Sequence, residues 1–226
     1  MVYVLSDVHG RIDRFESILH QIDLNEDDRL YVLGDVIDRN AGGIELLFRL
    51  MRMPNATLLL GNHELMMRDC VVDGGDCELW LLNGGMTTLL EYFNLPTESM
   101  LLLWQYLKNL PVQVELRVGG TDFVLAHSTP KFLYPEEGFA NRVSQTELAV
   151  WTRVERDAPL FRDQTLVFGH TPTLYYQDGQ PMRIWYDGRR IGIDCGCADP
   201  NGRLACLRLD DLAEFYVGGT AETAGD

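Results

Sequence analysis

The sequence predicts an α/β fold, and two observations carry this prediction. Four short apolar runs each end directly before a polar segment, as buried strands do: VYVL before Ser6, LYVL before Gly34, TLLL before Gly61 and TLVF before Gly169. Helical patterns of apolar residues at 12–22 and 44–51 separate the first three runs. This alternation of strand and helix implies parallel pairing through right-handed crossovers.

The remainder of the chain predicts a helical flank followed by further strands. Short helical stretches, divided by glycine pairs and a proline, occupy about 64–110. Beyond them, 112–118 and 122–126 predict a hairpin, and a helix is expected near 144–153. The last strands, which have a mostly antiparallel pattern, are predicted at 182–186, 190–193, 203–209 and 214–217. We expect one domain over 1–218 and a loose tail over 219–226.

The composition limits the classes of partner. The formal net charge of the 226 residues is −15, whereas proteins that bind nucleic-acid polymers carry a basic surface. The longest apolar runs, such as 100–104, are far too short to span a bilayer, and no signal-peptide pattern is found at the N-terminus. We therefore expect a cytoplasmic protein that binds neither nucleic-acid polymers nor membranes. A protein of this charge needs bound cations to attract a phosphate ester.

The five cysteines predict reduced thiols in the core. Their number is odd, and they lack the paired C-x-x-C spacing of a zinc knuckle or the pattern of a closed disulfide framework. They are Cys70, Cys77, Cys195, Cys197 and Cys206.

Polar residues at the strand ends predict a metal site, because the carboxyl ends of parallel strands meet at one edge of a sheet. Asp7 and His9 are two residues apart, so an extended backbone would point both side chains the same way. The carboxylate of Asp35 could bridge two ions. Imidazole, carboxylate and amide ligands suit Mn, Fe or Zn better than Ca. The six candidate ligands are Asp7, His9, Asp35, Asn62, His127 and His170.

Charge counting indicates a hydrolytic role for such a site. Two divalent ions bring about +4, two carboxylates and a hydroxide remove about 3, and roughly +1 remains to face a phosphate. Paired metal ions would also lower the pKa of bound water towards about 7, which supplies hydroxide at neutral pH. The sequence therefore predicts hydrolysis of a phosphoester.

Three further residues are predicted to act on the substrate. His63 follows Asn62 directly and is the candidate general acid. Asp38 could hydrogen-bond its ring and raise its pKa. Arg39 is placed to bind phosphate oxygens with its planar fork.

Each of these residues taken alone has a more common structural interpretation. An Asp at a strand end usually caps a turn, and a lone His is usually a satisfied core or surface group. The joint pattern favours a metal site, because four of the five histidines fall at strand ends or just after them. His20, inside an amphipathic helix, is the exception.

The motifs SDVHG, GDVIDRN, GNHE and GHTP, at 6–10, 34–40, 61–64 and 169–172, together resemble the phosphoprotein phosphatase branch of the calcineurin-like metallophosphoesterases, small bacterial and phage type. The resemblance implies an αββα sandwich of two mixed β-sheets flanked by helices, with a binuclear centre often supplied with manganese. It implies that Asp7, His9 and Asp35 hold one ion. The second ion is then held by Asp35, Asn62, His127 and His170.

The resemblance also narrows the branch. Thr171 and Pro172 follow His170, where phosphodiesterase relatives usually carry a second histidine. The second phosphate-binding arginine of the family best matches Arg153, with Arg142 as the alternative. Asn40 replaces a usual glycine, and asparagine tolerates left-handed torsions.

Three functions are compatible with these motifs. The first is a serine/threonine protein phosphatase, with phosphotyrosine as a further substrate. The second is symmetrical hydrolysis of diadenosine tetraphosphate, since Trp80, Tyr92 or Trp104 could stack on a base, although a core-filling role is the more common one for such aromatics. The third, disfavoured because no ligand is lost, is a binding protein without catalysis.

Overall fold

The computed structural model describes residues 1–134, 143–156, 163–177 and 182–219. The arginine alternative Arg142 and residues 220–226 of the predicted tail lie outside the described residues. The strands within the described ranges are β1 (Val2–Leu5), β2 (Arg29–Val32), β3 (Ala56–Leu58), β4 (Gln113–Val118), β5 (Thr121–Ala126), β6 (Thr165–Phe168), β7 (Trp185–Asp187), β8 (Arg190–Gly192), β9 (Arg203–Arg208) and β10 (Ala213–Gly218).

The helices follow the predicted segments closely. They are α1 (Ile12–Gln21), α2 (Gly43–Met51), α3 (Asn62–Met67), α4 (Glu78–Leu82), α5 (Met86–Phe93), α6 (Thr97–Lys108) and α7 (Gln145–Trp151). A π-helical turn at Arg68–Val72 continues α3. Ser144 caps α7 by accepting a hydrogen bond from the Glu147 amide, which satisfies an amide that the first turn of a helix leaves unpaired. Among the described residues, no helix is long and apolar enough to cross a membrane.

The strands form two mixed five-stranded sheets flanked by helices, as predicted. The first sheet has the order β10-β9-β1-β2-β3, and the second has the order β4-β5-β6-β8-β7. The parallel pairing of β1 with β2 and of β2 with β3 is confirmed, as is the hairpin of β4 and β5. The C-terminal strands are mostly antiparallel, but β8 pairs parallel with β6, so its carboxyl end joins the same edge of the sheet.

The core between the two sheets is built from alternate residues of their facing strands. Val4 and Leu33 from the first sheet lie in one buried cluster with Leu125, Val167 and Ile191 from the second. Each fully buried side chain of this kind stabilises the fold by about 1.5–3 kcal/mol. Because both sheets share this core, their carboxyl strand ends are held at a fixed separation.

The helical flank covers the other face of the first sheet. The predicted apolar stripe of α1, formed by Phe15, Ile18, Leu19 and Ile22, is buried in this second core. Trp80 and Tyr92 of the flank are buried in the same cluster. The flank therefore packs on the sheet through a continuous apolar layer, and its position relative to the strand ends is fixed.

One prediction about the cysteines is wrong. Cys70 and Cys77 form a disulfide, with Cα atoms 4.9 Å apart, whereas Cys195, Cys197 and Cys206 are free and buried, as predicted. The π-helical turn ends before Gly74, whose φ of 72° turns the chain back towards Cys70. An odd total of cysteines does not reveal such a local closure.

Candidate metal centre

The six predicted ligands meet at one edge formed by both sheets. Asp7, His9, Asp35 and Asn62 lie two to four residues after strands of the first sheet, and His127 and His170 lie one and two residues after β5 and β6 of the second. Five of the six are buried, and His170 is partly exposed. The hydrogen bonds Asp7 N–H to Gly34 O, 3.1 Å, and Gly169 N–H to His127 O, 2.9 Å, join neighbouring strand ends.

The backbone at this edge is left-handed at many positions. Of the eight non-glycine residues with positive φ in the described ranges, six are predicted site residues: Asp7, His9, Asp35, Asp38, Arg39 and His170. Such torsions are uncommon outside glycine and cluster at functional sites. The expectation that an extended backbone aligns Asp7 with His9 is therefore wrong. Asn40 has no left-handed φ, and its amide instead donates to His9 O at 3.0 Å.

The first group of potential ligands surrounds one oxygen of Asp35. Asp35 Oδ2 lies 3.8 Å from His9 Nε2 and 3.8 Å from His63 Nε2, and these three residues could hold a metal ion. The Nδ1–H of His9 donates to Ile37 O at 2.9 Å. This hydrogen bond fixes the tautomer and leaves the Nε2 lone pair directed at the site.

The second group surrounds the other oxygen of the same carboxylate. Asp35 Oδ1 lies 3.5 Å from His127 Nε2, and Asn62 Oδ1 lies 2.9 Å from His127 Nε2 and 3.0 Å from His170 Nδ1. His127 Nδ1–H donates to Leu33 O at 2.6 Å, which again frees Nε2 for a ligand role. Since each oxygen of Asp35 faces a different group, the carboxylate has the arrangement of a bridging ligand.

The protonation chemistry of these groups fits divalent cations. Burial lowers the pKa of His9 and of His127, and burial together with His127 lowers the pKa of His170 to about 3, so the rings are neutral and able to bind metal. Burial, Asp194 and Asp35 raise the pKa of Asp7 well above its usual value. The Oδ1 atom of Asp7 is buried without a hydrogen-bond partner. An orphaned buried carboxylate oxygen is the atom that a cation would satisfy.

Asp7 is also held in place from both sides. Its Oδ2 atom accepts hydrogen bonds from Ser6 Oγ–H and from the amide of His170, the latter at 3.0 Å. A Cβ at Gly169 would lie 2.2 Å from this same oxygen, so only glycine permits the close approach. The motif of the second sheet thereby fixes a carboxylate of the first.

His63 lies between a carboxylate and a guanidinium. Its Nδ1–H donates to Asp38 Oδ2 at 2.6 Å, and its Nε2 lies 3.3 Å from Arg39 Nη2. Burial by itself lowers the pKa of His63, but the carboxylates of Asp35 and Asp38 outweigh it and raise that pKa above the usual value. The predicted contact between Asp38 and His63 is therefore present, and Arg39 stands beside it at the exposed mouth of the site.

Arg153 approaches the site from the end of α7. Its side chain is exposed, its guanidinium carbon lies 5.5 Å from the ring centroid of Tyr175, and its charge contributes to the low pKa of His170. Its charge therefore acts on a ligand of the second group, whereas Arg39 lies 3.3 Å from His63 beside the first.

Sequence reasoning missed three supporting residues. Glu64, fully buried, accepts hydrogen bonds from the amides of Asp35, Val36 and Gly61 at 2.7, 2.9 and 3.1 Å. Its position three residues after Gly61 is the capping-box spacing, which was a readable signal. Asp194 follows a strand segment in the same way as the predicted ligands do. Trp80 is considered in the sequence only for base stacking or core packing, and no sequence signal indicates its hydrogen bond to Asp38.

Comparisons with known proteins agree with this geometry. The family model described as calcineurin-like phosphoesterase matches residues 1–197. Serine/threonine-protein phosphatase 2 of Escherichia coli (strain K12) is 30% identical over 222 residues, covering 92% of this chain and 92% of its own length. The symmetrical bis(5'-nucleosyl)-tetraphosphatase of Actinobacillus pleuropneumoniae serotype 3 (strain JL03) is 25% identical over 272 residues, covering 94% and 97%.

A solved structure supports the fold independently of the motifs. A protein serine/threonine phosphatase from Saccharomyces cerevisiae superposes with a TM-score of 0.62 at 14% sequence identity, covering 98% of this chain and 80% of its own. At this identity, the likeness concerns the arrangement of the sheets and helices alone.

The two mixed sheets with two His/Asp groups at their shared edge define a metal-dependent phosphoester hydrolase. The chain belongs to the calcineurin-like phosphoesterase family. The relative named serine/threonine-protein phosphatase 2 supports the phosphoprotein phosphatase branch that the motifs predict.

Proposed function

We propose that the protein is a serine/threonine protein phosphatase that uses two divalent cations. The observation that carries the proposal is the position of His63, with Asp38 at 2.6 Å on one ring nitrogen and Arg39 at 3.3 Å from the other. This arrangement supplies a phosphate-binding guanidinium and a proton donor side by side. A phosphate monoester with a poor leaving group needs both.

The predicted ligands would hold two cations on either side of Asp35, with the orphaned Oδ1 of Asp7 available to the first. We assign Asp7, His9 and Asp35 to one ion, and Asp35, Asn62, His127 and His170 to the other. Manganese is our proposed metal, on the basis of the mixed nitrogen and oxygen ligands. When bound, the cations supply positive charge for the phosphate and lower the pKa of water.

The remaining residues act on the substrate itself. Arg39 and Arg153 bind the phosphate oxygens, for which the planar guanidinium fork is well shaped. His63 carries a proton on Nε2 and donates it to the oxygen of the departing serine or threonine. Asp38 accepts from Nδ1–H and so keeps the ring in the tautomer and orientation that this transfer requires.

The helical flank favours a phosphopeptide over a dinucleotide. Trp80 and Tyr92 are 1% and 4% exposed, and the indole N–H of Trp104 donates to Tyr92 Oη at 2.8 Å. These aromatic side chains are engaged in the core and with each other, which supports the core-filling interpretation over base stacking.

A dinucleoside tetraphosphatase is the second candidate, since relatives with that name cover 94% of the chain. The alignment with one of them spans 272 positions, more than the 226 residues of this chain. That relative therefore contains insertions that this chain lacks. The phosphatase relative aligns over 222 positions. The shorter alignment fits the phosphopeptide proposal better.

A substrate panel tests the proposal. Manganese-loaded protein is incubated with phosphoserine and phosphothreonine peptides, p-nitrophenyl phosphate and diadenosine tetraphosphate, and the products are separated by chromatography. We expect phosphate release from the peptides and its loss in Asp35→Asn. ADP as the main product, with the peptides intact, would replace the proposal by the second candidate.

A further inference from the structure

A buried tryptophan of the helical flank touches the acid-orienting carboxylate. Trp80, in α4, is 1% exposed, and its Nε1–H donates to Asp38 Oδ2 at 2.7 Å. The same oxygen accepts the Nδ1–H of His63 at 2.6 Å. Two ring N–H groups therefore converge on one oxygen, while Asp38 Oδ1 is buried without a hydrogen-bond partner.

The surroundings of Trp80 make this contact specific. A Cβ at Gly85 would lie 2.5 Å from Trp80 Nε1, so only glycine there leaves room for the indole. The next residues of the flank hold the backbone of the same loop: Thr88 Oγ1 accepts from the Asp38 amide at 2.9 Å, and Gly84 O accepts from the Arg39 amide at 3.1 Å. Three hydrogen bonds therefore join the flank to Asp38 and Arg39.

A carboxylate with one free oxygen can rotate about its Cβ–Cγ bond unless something fixes it. Asp38 has a left-handed φ of 71°, and the hydrogen bond from its backbone amide to Thr88 fixes only the main chain. The hydrogen bond from the indole of Trp80 adds a constraint on the plane of the carboxylate. Rotation of the carboxylate would leave the buried indole N–H of Trp80 without an acceptor, which is destabilising. The hydrogen bond therefore opposes this rotation.

We propose that Trp80 is a positioning residue for the phosphatase reaction: its indole N–H fixes the Asp38 carboxylate, and through it the ring of His63 that faces the leaving group. The inference rests on the proposed function. It predicts that loss of the indole N–H affects substrates according to how much their leaving oxygen needs a proton.

The test compares Trp80→Phe with Trp104→Phe. Each variant removes one indole N–H from the same flank, but Trp104 donates to Tyr92 and has no contact with Asp38 in the structure. For Trp80→Phe we expect kcat on a phosphoserine peptide to fall about 10–100-fold, part of the general-acid contribution, with KM within about twofold. On p-nitrophenyl phosphate, whose phenolate departs without a proton, we expect less than about a threefold change. Trp104→Phe stays near wild type on both.

Equal losses on the two substrates, or the same profile in both variants, would overturn the inference. If the wild type hydrolyses no phosphopeptide, the proposed function fails instead, and the two outcomes are told apart by the wild-type control alone. The contact itself is read without turnover in the metal-free protein.

That second readout is the set of indole N–H resonances in ¹H–¹⁵N spectra, one from each of four tryptophans. Trp80→Phe assigns one resonance by its disappearance, and Trp104→Phe confirms the assignment of another. We expect Asp38→Asn to shift the Trp80 resonance and to speed its solvent exchange, with the Trp104 resonance unchanged. An unmoved Trp80 resonance in Asp38→Asn contradicts the inference. If Trp80→Phe fails to fold and leaves the resonance unassigned, the Asp38→Asn spectrum still decides, because the inference is contradicted when all indole resonances keep their wild-type positions.

Discussion

The strand-end edge and the helical flank contribute to the site in different ways. The edge brings the six predicted ligands together from two sheets, and backbone carbonyls fix the rings of His9 and His127. The flank contributes no predicted ligand, but holds Asp38 and Arg39 through Trp80, Gly84 and Thr88. The comparison separates residues that build the centre from residues that present the substrate to it. Damage to the first should abolish every reaction, whereas damage to the second should depend on the substrate.

The largest effect is expected for Asp35→Asn, at the junction of the two ligand groups. An amide has only one oxygen and no charge, so it cannot bridge two cations. Since the charge of a bound metal contributes several kcal/mol to phosphoryl transfer, we expect kcat to fall by at least about 10³-fold on every substrate. Steady-state kinetics with phosphopeptide and p-nitrophenyl phosphate measure this. A loss confined to one substrate would contradict the claim that damage to the strand-end edge affects every reaction.

His63→Asn should give the substrate-dependent pattern of the flank side. Removal of the proton donor is expected to lower kcat about 10²–10⁴-fold on phosphoserine peptide, and far less on p-nitrophenyl phosphate. His20→Asn makes the same chemical change at an exposed position of α1 and serves as the control. Equal losses on both substrates would indicate that His63 is a metal ligand and not the proton donor.

The sequence was most informative where each contribution is local. SDVHG, GDVIDRN, GNHE and GHTP are short segments directly after strands, so the convergence of Asp7, Asp35 and Asn62 follows from parallel pairing alone. Neither the left-handed torsions nor the contact between Asp38 and Trp80 could be derived in this way. That contact joins residues 42 positions apart, and no periodicity encodes which face of a short helix meets a particular loop.

The same reasoning explains two wrong expectations. Asp7 and His9 were expected to be parallel because strands are extended, but the strand ends at Leu5 and the backbone turns at once. The cysteines were judged by count, whereas the pairing of Cys70 with Cys77 depends on the local turn at Gly74. In both places the structure departs from the regular element, and regular elements are what sequence patterns predict best.

Glu64 and Asp194 should each make the metal-free protein less stable as the pH rises, whereas the lowered pKa values of His9, His127 and His170 act in the opposite direction. Burial raises the pKa of Glu64 to about 7 and that of Asp194 to about 6, above their usual values of 4.5 and 3.8. A raised folded-state pKa gives stability that is present below the unfolded value and lost as the pH rises through the folded value. The loss between about pH 4 and pH 8 should be on the order of 3 kcal/mol per carboxyl.

Calorimetry in a chelator at pH 5 and at pH 8 measures this slope. Glu64→Gln should remove the Glu64 contribution, so its stability relative to the wild type should rise from pH 5 to pH 8. Glu45→Gln, at an exposed position of α2, should keep the slope of the wild type. A stability difference between wild type and Glu64→Gln that is the same at both pH values would contradict the account of a centre whose buried carboxyls lack their cations.

The disulfide should have a smaller effect, limited to the flank. It closes a short loop between the π-helical turn and α4, so Cys77→Ser is expected to lower the free energy of unfolding by about 2 kcal/mol. Denaturant unfolding with and without a reductant measures it, and Cys206→Ser in the core is a control without a disulfide. Unchanged stability under reduction would show that the bond is not formed in solution. Because disulfides persist mainly in oxidising compartments, a formed bond also argues against the predicted cytoplasmic location.

The metal content of the wild type and three variants tests the division between edge and flank most directly. After loading with manganese and desalting, mass spectrometry should find about two ions per chain in the wild type and in His63→Asn, and at most about one in Asp35→Asn. This result would assign His63 a role in acting on the substrate and not in holding a metal ion, although it lies as close to Asp35 as His9 does. Loss of an ion from His63→Asn, with two retained in Asp7→Asn, would contradict the account and make His63 a ligand.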